Sequence, residues 1–248
     1  MMLLDLNPVT IIINLIVLGV AMTAHEFAHN FVAWKMGDEV PRLQGRLTLN
    51  PLAHINWVGW LMFAIIGFGI LGSAPISPER MRDPRKGFLA AVAAGPLSNL
   101  GLALVFAIML RFSGLSAYGF LAYRGFEPMA DPVSVIAALL YAMVFWNLLL
   151  FIFNLIPLFP VDGWHIVLSL LPGRWLSNMQ VPVVIQRSLR PLSEFLMRPA
   201  FKWRDWQMAS YYVFMALILL SVLPFGGFSP FGLFIGRPTS ALLQLLLF

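Results

Sequence analysis

Long apolar runs broken by short polar links dominate this chain. Val9 to Lys35 is almost wholly apolar. It opens near Asn7-Pro8, closes near Gly37, and predicts one helix longer than the roughly 20 residues that cross a bilayer. "GDEVPRLQGRLTLNP" follows, where apolar residues alternate among Pro and Gly, and predicts short strands or an irregular loop. Ile55 to Leu71 is apolar but glycine-rich. The polar link "SAPISPERMRDPRKG" separates it from a second clear span, Phe88 to Leu110. Arg111 to Asp131 reads as a loop. Pro132 to Leu171 is long and apolar but interrupted by "IPLFPVDG". Leu171 to Gln207 holds six basic residues and several prolines, and Met208 to Leu223 predicts a further span. The tail, Phe228 to Phe248, is apolar but split by Arg237-Pro238. No internal repeat or low-complexity tract is visible.

Composition sharpens this picture. Hydrophobic residues make up 60% of the chain and charged residues 11%, which excludes an ordinary soluble domain and predicts an all-α polytopic membrane protein. The formal charge of +5 comes from basic residues scattered through the links. That distribution suits the headgroups of a lipid bilayer and gives no nucleic-acid signal. There is no cysteine, so disulfides, iron–sulfur clusters and thiol chemistry are excluded. "MMLLDLNP" lacks Lys and Arg, so no cleavable signal peptide is expected.

Basic residues also choose between two topologies. If Ile55–Leu71 crosses the membrane, they divide ten to six. If it is re-entrant, the links at 35–46, 80–86 and 174–204 share one face and hold thirteen of the sixteen. The second split is the stronger bias, and it puts those links in the cytoplasm with the N-terminus outside.

The candidate chemistry begins at "HEFAH", residues 25–29. Positions i and i+4 lie on one helix face, so His25 and His29 project side by side, with Glu26 next to them. This is the H-E-x-x-H arrangement, in which two imidazoles bind zinc and the glutamate acts as general base on an activated water. Each such residue costs roughly 2 kcal/mol or more near the bilayer centre unless partnered, which weighs against a merely packed role. Haem ligation fits poorly, because i, i+4 histidines cannot occupy opposite faces of one ring.

A catalytic zinc takes a third protein ligand. Asp162 is the acid set most deeply in apolar sequence, within "FNLIPLFPVDGWHIVLSLL", where Pro157 and Pro160 break the helix. The competing role for Asp162 is an N-cap for the helix resuming at Trp164. His165, one turn on, is the alternative third ligand.

"HEFAH", "AAGPLSNL" and "FNLIPLFPVDG" together resemble the three hallmark motifs of the site-2 protease family of intramembrane zinc metalloproteases: HExxH, GPxxN and NxxPxxPxDG. "GRLTLNPLAHI" resembles its compact prokaryotic branch, without PDZ or CBS domains. The resemblance covers about Val9 to Leu171. It implies a three-helix catalytic core, accompanied here by a short strand or re-entrant element and additional C-terminal helices. It implies one Zn2+ per chain, held by His25, His29 and Asp162, with Glu26 as base and Asn154 assisting the substrate carbonyl or the third-ligand loop. Substrates would be transmembrane proteins, and the setting a prokaryotic plasma membrane. Asn56 stands where that branch has an acid and His165 where it has Arg, changes that bear on the surroundings of the ligands. Substrate access would be gated by a short membrane element or by a partner protein.

The division expected is a catalytic transmembrane core at 1–171 and an interfacial segment plus C-terminal transmembrane hairpin at 172–248. His54 is either a catalytic, substrate-contacting residue near zinc or an interfacial histidine satisfied by backbone. Gly95, Pro96 and Asn99 are expected to permit close helix packing, with a hydrogen bond toward the active-site helix the alternative role of Asn99, and Asn147 to bond between helices. "VPRLQGRLTLN" offers either an edge strand for an extended substrate or a plain surface loop. Arg187–Arg204 reads as a helix on the cytoplasmic surface. Two rivals remain: a divalent metal transporter or channel using the same His/Asp site, and a silent scaffold that holds membrane clients.

Overall fold

The computed structural model describes residues 7–54, 56, 57, 59, 74–171, 203–222 and 229–248. The glycine-rich segment and the expected surface helix at 187–204 lie almost wholly outside the described residues, so the choice between a span and a re-entrant loop does too. Helix α1 runs Pro8–Lys35, α2 Val40–Leu43, α3 Pro84–Phe112, α4 Ser116–Tyr123, α5 Pro132–Asn154, α6 Asp162–Leu170, α7 Trp203–Val222 and α8 Arg237–Leu247. Among the described residues there is no strand.

Among the described residues three helices, α1, α3 and α5, are long and apolar enough to cross a membrane. At 28, 29 and 23 residues they would reach about 35–44 Å, against a hydrocarbon core of about 30 Å. Each opens on a proline behind a side-chain cap. Asn7 Oδ1 accepts from Val9 N, Asp83 from Lys86 N, and Asp131 from Val133 and Ser134 N. The bonds from Ser134 and Val133 hold the Asp131 carboxyl below its ordinary range.

Small residues let the three helices approach closely. Ala21, Ala103, Ala107, Ala138 and Ala142 are buried at the centre, with Val17, Leu18 and Tyr141 between them. Ile12, Leu15, Ile16, Val105, Ile108 and Met109 face outward. That inside-out distribution is what a lipid-embedded bundle requires, since lipid solvates these side chains as well as the interior does.

Four sequence expectations change. Val40–Leu43 forms one helical turn, because Pro41 fits a first turn and Gly45, at φ 66°, folds the chain back so that Arg46 N reaches Pro41 O at 2.8 Å. No edge strand for substrate forms at 40–50. The expected loop at 111–131 contains α4, which packs on α5 so tightly that a Cβ at Gly119 would lie 2.6 Å from Ala137 O. Asp83 starts α3 ahead of the apolar run. Finally, Arg237-Pro238 does not split the tail. A π-helical turn at Gly232–Gly236 runs straight into α8, with Pro238 near its start.

A buried polar knot ties α4 to the core. Asn14 Oδ1 accepts from Tyr123 Oη at 2.6 Å and from Trp146 Nε1 at 2.8 Å, so one amide joins α1, α4 and α5. Asn14→Ala strips both donors of that acceptor and is expected to destabilise the bundle by about 1–3 kcal/mol. Thermal unfolding in detergent would show a lowered midpoint, with metal binding retained.

Candidate metal centre

His25, Glu26 and His29 sit on the inner face of α1, each no more than 4% exposed. Three helical residues separate the imidazoles, which stack edge to face with their Nε2 atoms 3.0 Å apart. Asp162 comes from the far end of the described core. Its Oδ2 lies 3.2 Å from both His25 Nε2 and His29 Nε2. These three ligand atoms therefore form a near-equilateral triangle. For tetrahedral zinc with bonds of about 2.0–2.1 Å, the ligand–ligand edge is about 3.3–3.4 Å, close to what is seen.

Asp162 is the first residue of α6, and the residue capping that helix is Val161, which makes no side-chain cap bond. The carboxylate is thus turned to the imidazoles and not to its own helix. His165 stands edge-on to the rings of Phe88 and Phe159 and does not join the donor group of His25, His29 and Asp162. Asn154 donates Nδ2 to Leu150 O within its own helix at 2.9 Å. His54 is 3% exposed and bonds through Nε2 to Thr48 O, while its Nδ1 is buried without a partner.

The surroundings fit a cation. Asp162 Oδ2 and Glu26 Oε2 are buried with no hydrogen-bond partner. Buried carboxylate oxygens that accept no hydrogen bond are costly, and a divalent ion between two imidazoles would offset that cost. Both imidazoles also have their outer nitrogens occupied: His29 Nδ1 bonds to Ala91 O at 2.8 Å and His25 Nδ1 to Asn99 Oδ1 at 2.7 Å. Such outer contacts orient histidine ligands with Nε2 free. Gly95 completes the cradle, because a Cβ there would overlap His29 Nε2 and His25 Cε1. Gly95, expected to serve packing, therefore lies against both histidines, and Asn99 takes its alternative role, a hydrogen bond to the active-site helix at His25.

Several supports carried no sequence signal of their own. The Ala91 carbonyl is invisible by residue type. Arg85, in a basic link, donates to Ser169 O and Leu171 O and so anchors the end of α6. Ser210 of α7 accepts from Phe159 N at 2.7 Å in the loop that leads to Asp162. Gly163 lets that loop fold onto α6, since a Cβ would meet the Leu155 and Ile156 carbonyls.

Comparison with known proteins points the same way. The model of Peptidase family M50 matches residues 13–190. YwhC of Bacillus subtilis, a candidate zinc metalloprotease, is 38% identical over 157 residues, spanning 63% of this chain and 68% of that protein. Rip2 of Mycobacterium tuberculosis, named likewise, is 27% identical over 151 residues, or 58% of this chain and 52% of Rip2. The zinc metalloprotease MJ0392 of Methanocaldococcus jannaschii is 26% identical over 176 residues, covering 70% of this chain but only 39% of that protein. No solved structure matches significantly.

Gly95→Ala is expected to push the imidazoles apart and reduce bound metal to a small fraction of one per chain. Gly101→Ala, at a position with open space around it, should leave metal content unchanged. Elemental analysis of the two purified variants makes the comparison.

Proposed function

Because this chain belongs to Peptidase family M50, we propose that it is an intramembrane zinc metalloendopeptidase, cutting peptide bonds within or near transmembrane segments of other membrane proteins. The observation that carries the reading is the triangle of His25, His29 and Asp162 donors, with both histidines on a helix long and apolar enough to span a membrane and the aspartate on the short helix α6. His25, His29 and Asp162 hold the ion, and Glu26 is the general base. The metal is zinc, in keeping with two imidazoles and one carboxylate and with the open fourth position of catalytic sites. The chemistry zinc supplies when bound is polarisation of the scissile carbonyl and acidification of the attacking water to near neutrality.

The chain's own residues do the rest. Glu26, buried and with Oε2 unpartnered, accepts the proton of the attacking water and returns it to the departing amine. Asn99 and the Ala91 carbonyl keep both imidazoles aimed inward. The surrounding apolar packing limits water to what the reaction needs and strengthens each electrostatic contact. A substrate helix must unwind locally before its carbonyl is accessible, so glycine or proline near the cut lowers the cost. His54 is the proposed substrate contact, its buried and unpartnered Nδ1 being the atom that would take a substrate N–H. Asn154 steadies the start of the loop that carries Asp162.

The organisation follows from this reading. Residues 1–171 are the proposed catalytic core and residues 172–248 the C-terminal part, whose expected interfacial segment lies outside the described residues. The protein is multi-pass in a prokaryotic plasma membrane, with its basic links cytoplasmic.

Glu26→Gln should bind zinc as the parent does and lose about 10²–10⁴-fold in cleavage of a model transmembrane substrate, the usual range for removing a general base. A purified Glu26→Gln protein that still cuts at the parental rate overturns the mechanism. Chelation should abolish cleavage in the parent and zinc should restore it; cleavage that persists in metal-free protein would end the metalloprotease reading.

A further inference from the structure

Asn147 lies on α5, touches neither imidazole, and is fully buried. It belongs to a chain of side-chain amides that ends on His25. Asn147 Nδ2 donates to Met143 O at 2.8 Å. Asn147 Oδ1 accepts from Asn99 Nδ2 at 2.9 Å, and that same Nδ2 also approaches Ala21 O at 3.2 Å. Asn99 Oδ1 then faces His25 Nδ1 at 2.7 Å.

Acceptors along this chain fix its direction. A backbone carbonyl can only accept, so Met143 O draws the amino group of Asn147 toward itself. That leaves the Asn147 oxygen facing Asn99, where at 2.9 Å it is the nearer of two acceptors that draw the amino group of Asn99, the other being Ala21 O at 3.2 Å. The Asn99 oxygen is thereby turned to His25, so Nδ1 must carry the hydrogen and Nε2 must present its lone pair to the metal. Were Asn99 flipped, its amino group would donate to Nδ1, and the hydrogen would move to Nε2 and block the ligand position. His29 needs no such relay, because Ala91 O meets its Nδ1 directly.

We infer that Asn147 is a positioning residue for the metal centre: it locks the amide orientation of Asn99 and, through it, the tautomer of His25. The inference rests on the reading of His25, His29 and Asp162 as metal ligands.

The test is zinc affinity by chelator competition on the full-length protein in detergent, with thermal unfolding as the check on folding. Asn147→Leu keeps the branching of the side chain, adds some volume and removes the polarity. It should weaken zinc binding by about 10–100-fold, the range for loss of an outer hydrogen-bond partner of a metal ligand. The deciding experiment repeats Asn147→Leu in an Asn99→Asp background. A carboxylate presents an acceptor to His25 whichever way it turns, so there is no orientation left to lock. In that background Asn147→Leu should change zinc affinity by no more than about twofold, the scatter expected of independent sites.

An equal loss in both backgrounds overturns the proposal, because a purely structural role would behave that way. No loss in the Asn99 background overturns it as well. If Asn147→Leu fails to fold, Asn147→Asp serves: it keeps an acceptor toward Asn99 Nδ2 and should bind zinc no more than about twofold weaker than the parent. A loss of tenfold or more there would refute the relay. Failure of the metal reading itself looks different: the parent protein binds no zinc, or His29→Ala and Asp162→Ala bind it as tightly as the parent.

Discussion

Three electron-rich atoms held about 3 Å apart in a region of low dielectric set the terms for the rest of this structure. His25 Nε2, His29 Nε2 and Asp162 Oδ2 lie 3.0–3.2 Å from one another. In an apolar interior their mutual repulsion and lost hydration are poorly offset by anything except a cation. The helices that deliver them must therefore be held rigidly, and much of the described fold serves that holding.

Apolar contact alone cannot do it. In lipid a leucine gains little by leaving the tails for another helix, so close approach and polar clamps carry the association. Both are present at the level of the histidines. Gly95 removes the Cβ that would collide with the rings, and Ala91 and Asn99 on the same helix reach their outer nitrogens. One helix turn pattern, with small residues at one spacing and a carbonyl and an amide at another, thus sets both the separation of α1 from α3 and the orientation of two imidazoles. A second knot, Asn14 with Tyr123 and Trp146, secures the other end of the bundle.

Asp162 poses a different problem, because it arrives on a short helix after a broken loop. A nine-residue helix is marginal by itself. It is braced at both ends from elsewhere in the chain. Arg85 holds its terminal carbonyls from the start of α3, and Ser210 of α7 holds the preceding loop. Val161, Phe214 and Ile218 pack together beneath that loop, with Phe153, Leu158 and Phe231 around them. The third donor is consequently coupled to helix α7, which lies past the residues matched by the family model.

Periodicity and composition were enough to read the long spans, because a membrane helix must be apolar over its whole length and its caps are local. Spacing was enough to pair His25 with His29, because i and i+4 share a face in any helix. The proximity of Asp162 entered through its odd setting among apolar residues. What spacing could not supply was whether that carboxylate would cap its own helix or turn to the imidazoles. That choice depends on Gly163 folding a loop against α6 and on contacts more than forty residues away. The helix at 116–123 and the turn at 40–43 depart from the sequence expectation for the same reason: a short segment takes its conformation from the surface it packs on. The sequence by itself determined which residues could bind a metal and which segments could cross a membrane, since both follow from local chemistry. Only the tertiary structure decided which way each donor points, because orientation is set by partners such as Ala91 O, Asn99 and Asn147 that the chain brings together from separate helices.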